Sequence, residues 1–485
     1  MIIERKKEQE ILKNLANSNK SEFLAVYGRR RIGKTFLISN FFNKSEYVYL
    51  EFIGLKKGTD EAHRDLFIDE IATKLNEDLY DKETQNWRQI FRILQGELTK
   101  IQDKKIVIFI DELPRFCKNK KDLFLEQLAY FWEHYISKRN DMILVVSGSS
   151  ASWMIEHIIN ETGTLYDRIT EEMELKPLTL KETKSYLFHK GIKLEDKNIA
   201  EIYMAIGGIP KYLDYIQSGD SFFTAINRLF FQRSARLRVE FNKLFKSLYQ
   251  SKANQYKHLL IKTFSSSHTI GKTIDEIVTL NLREEREDEP ALTRKTIERI
   301  VEDLVACGFL LKQEPIARTK GNGGHLYFLI DSYSIFYIYW IHNKPTTSDD
   351  EFWIKQIDTP NWNSWKGYAF ESICLMHEKT IKELLGISGM KADAYGWAGA
   401  KQIDLILDRS DDCINIFELK FYKEKYSISS EYLADIESKI KAFKMSTKTK
   451  KSIIPVMITS YGCVHNEHYK SIIAKEITLY EIMNS

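Results

Sequence analysis

Little in the sequence points to a stabilised, membrane-bound or nucleic-acid-coating class. Cysteine is scarce: Cys117, Cys307, Cys374, Cys413 and Cys463 are odd in number, far apart and without zinc-ligand spacing. Such a set argues against a disulfide framework and for a reducing, cytoplasmic setting. Long apolar runs are missing. The longest, Tyr327 to Ile341, is about 15 residues and is broken by Asp331, Ser332 and Ser334, too short and too polar to span a bilayer. The opening MIIERKKEQE is charged from residue 4 and has no apolar centre, so a secretory signal is not expected. Charge of one sign is not in excess: 71 basic against 68 acidic residues leave +3. That balance is too even to mark a nucleic-acid binder, so any such role must lie in local patches. Internal repeats and low-complexity tracts are also absent.

What is present is ordinary soluble-protein composition, 43% hydrophobic and 29% charged. A length of 485 residues suggests about three domains. Residues 1 to 235 alternate short apolar runs with helical patterns. The runs are Phe23–Tyr27, Tyr47–Leu50, Ile106–Ile110 and Met142–Val146. Near-continuous apolar strands separated by helices predict an α/β fold with a parallel sheet covered on both faces. Residues 255 to 342 predict a different unit. Helical patterns at His258–Phe264 and Ile274–Leu280 precede a stripe of Ile297, Ile300, Val301, Leu304 and Val305 that Thr293 opens and Gly308 stops. Two strands, Leu310–Leu311 and Leu326–Phe328, follow around the turn Gly321–Gly324, which is winged-helix order. Polar Asn343 to Asp350 reads as a linker. Residues 350 to 485 then predict a helix near Gly367–Leu385 and strands at Ile403–Leu407, Ile414–Leu419 and Ile453–Ile458.

The sharpest motif is Gly28-Arg29-Arg30-Arg31-Ile32-Gly33-Lys34-Thr35, which fits G-x-x-x-x-G-K-[ST] between a strand and a helix. Glycines let backbone N–H groups wrap phosphates, and the helix N-terminus adds its dipole. Lys34 reaches the β and γ phosphates of ATP, and the Thr35 hydroxyl ligates Mg²⁺. The run Lys105 to Ile110 ends in Asp111 and Glu112. Two carboxylates at the tip of a buried strand suit Mg²⁺ through Asp111 and the attacking water through Glu112. After Met142–Val146 comes Ser147-Gly148-Ser149-Ser150, where Ser147 and Ser149 are either sensors of the γ-phosphate or residues of a plain Ser/Gly turn.

Taken in order, GRRRIGKT, IFIDEL, SGSS, LYDR and GGIPKYL resemble the archaeal-type ATPases of the AAA+/STAND group over residues 1 to 235. The resemblance implies that Gly207-Gly208-Ile209-Pro210 packs beside adenine, with Pro210 in the nucleotide site. It also implies that Arg168, just before the alternating Met173 to Leu175, is an arginine finger, and a homo-oligomer is among the expected partners. A surface ion pair is the other reading of Arg168. Asp167 stands where the family often has Gly.

In the C-terminal part, Glu418 and Lys420 lie two apart on one strand and so share a face, with Asp404 on a neighbouring strand. Two carboxylates and a lysine suit a Mg²⁺ or Mn²⁺ site with the Lys beside the attacking water, and Glu371 is a further acid from the preceding helix. Cross-strand charge pairing accounts for the same residues without chemistry. The pattern resembles the PD-(D/E)xK nuclease superfamily, with Asp404, Glu418 and Lys420 as its residues. The winged helix plus this module resembles the DUF234 region fused to archaeal-type ATPases, although Gln402-Ile403 stands where a Pro often precedes the Asp. Six lysines between Ser438 and Lys451 (Lys439, Lys441, Lys444, Lys448, Lys450, Lys451) suit phosphate contacts or a solvated helix end. Arg294, Lys295 and Arg299 on the recognition helix, and Arg318 and Lys320 in the wing, suit DNA, against Glu298, Glu302 and Asp303 on the same helix. The expected function is an ATP-hydrolysing switch or motor coupled to a DNA-directed, metal-dependent nuclease. The alternatives are an ATP-gated DNA-binding regulator or signalling NTPase with a silent nuclease fold, and a remodeller of protein.

Overall fold

A computed structural model describes residues 2–43, 45–80, 82–117, 123–160, 163–233, 235–265, 271–282, 292–314, 324–342, 352–398 and 401–485; the side chains of Ala398 and Asp404 lie outside the described set. The chain forms two compact units, Met1–Lys176 and Pro177–Ser485.

In the first unit the apolar runs become strands β1 (Glu22–Tyr27), β2 (Tyr47–Ile53), β3 (Lys105–Asp111) and β4 (Met142–Gly148), joined by β5 (Glu171–Glu174). They form one sheet in the order β2-β3-β4-β1-β5, parallel at every pairing. Both faces are buried, which is why β3 and β4 are apolar throughout rather than alternating. Phe23, Ile106, Ile108, Leu144 and Val146 on one face pack with Phe67, Trp87, Phe91, Leu94 and Phe124 from the helices Asp60–Lys74, Trp87–Thr99 and Phe124–His134. The helix Trp87–Thr99 begins where the Asn86 side chain accepts a hydrogen bond from the Gln89 N–H, and its buried residues recur at helical spacing. β5 is one of the two edge strands. It buries Met173 and turns glutamates outward, which discourages pairing with another chain.

In the second unit three helices, Ala253–Phe264, Ile274–Leu282 and Arg294–Ala306, accompany β6 (Lys272–Thr273), β7 (Leu310–Gln313) and β8 (Leu326–Leu329) in an antiparallel sheet ordered β6-β8-β7. Thr293 caps the third helix through the Thr296 N–H, and Ile297, Ile300, Val301 and Leu304 are its buried stripe. Gly321–Gly323 of the expected turn, with Arg318 and Lys320, and the linker 343–350 lie outside the described residues. The apolar stretch 327–341 is accounted for by β8 and the helix Ser332–Trp340. This helix is buried almost all round against the helices Asp196–Ile206 and Pro360–Met376. Among the described residues no helix is long and apolar enough to cross a membrane.

The remaining strands are β9 (Ala392–Ala398), β10 (Gln402–Arg409), β11 (Cys413–Lys420), β12 (Tyr426–Ser427), β13 (Ser452–Thr459), β14 (Cys463–Val464) and β15 (Lys475–Thr478). The main sheet runs β15-β13-β11-β10-β9; β9, β10 and β11 are antiparallel, and β11, β13 and β15 parallel. The helix expected at Gly367–Leu385 is two, Pro360–Met376 and Glu378–Leu385, divided at His377. The buried His377 ring explains the break. Its Nδ1 donates to the Ile373 carbonyl (2.8 Å) and its Nε2 accepts from the Leu180 N–H (2.9 Å), so the ring is fixed between two segments.

Candidate nucleotide site and carboxylate cluster

The nucleotide motif sits where the parallel order puts it. β1 ends at Tyr27, and the chain turns through Gly28 at φ 140°. A Cβ at Gly28 would lie 2.3 Å from the Leu175 carbonyl oxygen, so only glycine fits. Arg31 and Gly33 also have positive φ, 73° and 95°, before the helix Lys34–Phe42 begins. Lys34 is buried. Its ammonium donates to the carbonyls of Gly28 (2.9 Å) and Arg29 (3.2 Å) and to Ser149 Oγ (3.3 Å).

β4 lies between β1 and β3, so the serines at its tip can reach both motifs. Ser147 Oγ donates to Asp111 Oδ1. Ser149 Oγ donates to Glu112 Oε1 while accepting from Lys34. Thr35 Oγ1 donates to Asp111 Oδ2 at 2.6 Å. This hydroxyl and carboxylate from different elements are an all-oxygen donor pair of the kind a hard cation such as Mg²⁺ takes. Glu112 leaves β3 in the left-handed region, φ 56°, and Arg115 stands 3.8 Å from its second oxygen. Burial pushes the neighbouring Glu51 carboxyl up, and the Asp111 charge adds to that while a Tyr49 hydrogen bond opposes it.

The structure therefore brings together Lys34, Thr35, Asp111, Glu112, Ser147 and Ser149. Arg168 instead pairs with Glu133 and donates to the Thr164 carbonyl (2.7 Å). Pro210 opens a short helix in the second unit, after Gly207 at φ 67° and Gly208 packed against the Leu178 carbonyl. Sequence reading missed Arg5. This buried residue, at φ 59°, donates from Nη2 to the Ile32 carbonyl of the phosphate loop at 3.2 Å. The only cue was an Arg-x-x-Glu spacing, Arg5 with Glu8, across a helix start.

At the second location Glu418 is buried on β11. It accepts from Tyr432 Oη (2.5 Å) and from Lys439 Nζ (2.8 and 3.0 Å). Burial and the Glu418 charge push the Tyr432 phenol far above its ordinary value. Lys420 stands over the Tyr432 ring, 4.6 Å from its centre. The helix Pro360–Met376, which carries Glu371, packs against β11. The side chain of Asp404 lies outside the described residues, and among the described residues no three metal-ligating side chains come together. Lys439 and Tyr432 are members of this cluster that the sequence pattern does not single out: Lys439 lies in a basic run and Tyr432 in no motif. Of that run, Lys451 pairs with Asp408 (2.5 Å), while Lys441, Lys444, Lys448 and Lys450 are exposed. On the helix Arg294–Ala306, Arg294 is held by Asp275 (2.7 Å) and Glu298 (2.8 Å), so its charge is matched within the chain.

Comparison with known proteins bears on the first site. Residues 2–216 match the family described as an ATPase domain predominantly from Archaea. A protein of Methanocaldococcus jannaschii is 25% identical over 415 residues, 85% of this chain and 85% of its own length. An ATP-binding protein of the same organism is 49% identical over 41 residues, 8% of this chain and 70% of its own. A Walker-type ATPase of Pyrococcus abyssi superposes with a TM-score of 0.49 at 17% identity, over 69% of this chain and 95% of that one. With the loop, the strand-tip carboxylates and the parallel sheet in place, residues 2–216 are an archaeal-type P-loop ATPase domain, which implies nucleotide with Mg²⁺ as its ligands.

Proposed function

We propose that this chain hydrolyses ATP to control a DNA-directed, metal-dependent nuclease-like module that it carries itself. The observation that carries the second half of this reading is the position of buried Glu418 and of Lys420 two residues on along β11, at the C-terminal end of a strand in a mixed α/β sheet. β10, which carries Asp404, is the antiparallel neighbour of β11, which carries Glu418, with Ile406 opposite Ile416. On this reading 1–235 is an AAA+/STAND-type ATPase core with a helical lid, 255–342 a winged helix, and 350–485 a PD-(D/E)xK-type module.

In the ATPase site Lys34 offsets charge on the β and γ phosphates and Thr35 with Asp111 would hold Mg²⁺. Ser147 fixes the Asp111 carboxylate, and Glu112, oriented by Ser149, aligns the attacking water. Arg168, released from Glu133, would meet transition-state charge from a neighbouring copy in a homo-oligomer. In the C-terminal module Asp404 and Glu418, with Glu371, would hold Mg²⁺ or Mn²⁺, which when bound neutralises phosphate charge and acidifies water. Lys420 orients that water.

The test is incubation of the chain with plasmid and single-stranded DNA, with Mn²⁺ or Mg²⁺, with and without ATP. Cleavage that EDTA stops and that Glu418→Ala abolishes supports the reading; intact DNA in every condition refutes it. One observation favours the second reading, a DNA-binding regulator gated by ATP: Lys439 already occupies both oxygens of Glu418, as a structural ion pair would. Under that reading ATP changes DNA affinity and nothing is cut.

A further inference from the structure

β11 and β13 are parallel neighbours, with Lys420 opposite Thr459, so the chain leaves both strands at one edge of the sheet. The segment after β11 reads Lys420-Phe421-Tyr422-Lys423-Glu424-Lys425-Tyr426, aromatics interleaved with lysines and a single acid. Its parts differ in kind. Phe421 is buried against Phe370, ring centres 5.3 Å apart, and anchors the segment. Tyr422 is 50% exposed, although its backbone is fixed. Its N–H donates to Ser460 Oγ (2.8 Å), and that hydroxyl donates to the Tyr422 carbonyl (2.6 Å). Half-exposed aromatics on a rigidly held backbone cost little entropy when they bind.

From Tyr422 the rings continue inward. Tyr422 meets Tyr426 edge to face at 5.8 Å and 86°, and Tyr426 meets Tyr432 at 5.5 Å and 75°. Tyr432 ends the row with its hydroxyl on Glu418. Lys420 lies between the last two rings, 5.9 Å from Tyr426 and 4.6 Å from Tyr432. Lys423 is paired with Asp358 (2.6 Å), while Lys425, three residues on from Tyr422, is exposed. A second exposed ring, Tyr461 at 44%, has its phenol pushed up by burial first and then by the charges of Glu201 and Glu195.

We propose that this edge is a platform for an unpaired DNA strand, with a base stacked on Tyr422 and the following phosphate on Lys425. The strand would then run along the tyrosine row towards Glu418. Stacking needs an open base face, which an internal base pair does not offer, so the chemistry selects single strands or frayed ends over closed duplex. The proposal deepens the nuclease-like reading, since it names the substrate class of that same edge, and its test is made without cleavage.

The assay is fluorescence anisotropy of the full chain with a labelled oligothymidylate of about 20 nucleotides, longer than a single stacking site needs, in EDTA. A closed hairpin duplex is the second ligand. Tyr422→Ala should weaken oligothymidylate binding about 10-fold or more, in line with stacking of one base, and leave hairpin binding unchanged. Tyr422→Phe keeps the ring and should keep the affinity. Lys425→Ala should reduce the salt slope by somewhat less than one, as loss of a single-strand phosphate contact does. Equal oligothymidylate affinity in Tyr422→Ala and wild type overturns the proposal, as does equal loss in Tyr422→Phe, or a wild type that prefers the hairpin. Wild type that binds the oligothymidylate as expected yet cuts nothing with Mn²⁺ leaves the platform standing and removes the nuclease. Wild type that cuts duplex but ignores the oligothymidylate does the reverse.

Discussion

Replacing Ser149 by alanine should separate ATP hydrolysis from ATP binding. The Ser149 hydroxyl has two charged partners, donating to Glu112 Oε1 and accepting from Lys34 Nζ at 3.3 Å. Losing it does not strand Lys34, which keeps the Gly28 and Arg29 carbonyls at 2.9 and 3.2 Å. Glu112 loses the donor on one oxygen and is left with Arg115 at 3.8 Å from the other. A hydrogen bond to a charged group is worth about 1.5–3 kcal/mol. If that energy orients Glu112 in the transition state, kcat should fall by about 10- to 150-fold. The nucleotide dissociation constant should change less than about threefold, because the lysine and the loop remain in place. The assay is phosphate release at saturating ATP beside titration with a fluorescent nucleotide. Ser149→Thr, which restores the hydroxyl, should recover much of the rate. A kcat within about twofold of wild type, or a loss of affinity as large as the loss of rate, would refute the role given to Ser149.

Lys34→Ala should abolish nucleotide binding or turnover, and Glu112→Gln should bind ATP but hydrolyse it slowly; equal turnover in either variant, measured by phosphate release, would contradict the site. Arg168→Ala should lower kcat and leave KM near its old value if the Arg leaves Glu133 for a neighbouring active site, and wild-type specific activity should then rise with protein concentration. An unchanged kcat returns Arg168 to the ion pair. Lys439→Ala should cost about 2–3 kcal/mol in denaturant unfolding, less than a wholly buried pair because Lys439 is partly exposed, and Glu418→Gln in the same chain should recover part of it. Additive single effects would argue against coupling. Burial lowers the His377 pKa below its ordinary 6.5, so the unfolded chain binds more protons than the folded one under acid conditions. His377 then favours folding fully above about pH 6.5 and less as pH falls below it, and His377→Gln should flatten that part of a melting-temperature profile.

Legibility of the sequence followed the strength of each local constraint. The ATPase strands were readable because a parallel sheet covered on both faces needs uninterrupted apolar runs, as in Ile106 to Ile110 and Met142 to Val146. β9 was not, since Ala392–Ala398 contains a glycine and small residues, and β15 has four residues, two of them charged. β6 is a dipeptide and carries no periodicity. The phosphate loop was legible because its chemistry is contiguous in sequence. The Ser149 contacts were not, because they span 37 and 115 residues that only the sheet order brings together, and the Lys439 contact needs the helix Ser430–Thr447 to return its side chain to β11 21 residues on. The Arg5 contact depends on a left-handed residue that no composition rule anticipates.

The division of the chain carries a consequence for how ATP could act. The ATPase family match runs to residue 216, yet packing divides the chain at Lys176. The helices Leu180–His189 and Asp196–Ile206 are thus ATPase by sequence and part of the C-terminal unit by contact. The attachment is specific. Leu180 donates to His377, and Asp196–Ile206 is buried against the helices Ser332–Trp340 and Pro360–Met376. Buried charge adds to it: desolvation raises the Glu201 carboxyl and lowers the Lys366 ammonium, and each favours the charged form of the other. A closely packed interior shifts as a body rather than deforming locally. A nucleotide-dependent displacement of residues 177–216 would therefore be delivered to the helix Pro360–Met376, and through its packing on β11 to the strand that holds Glu418.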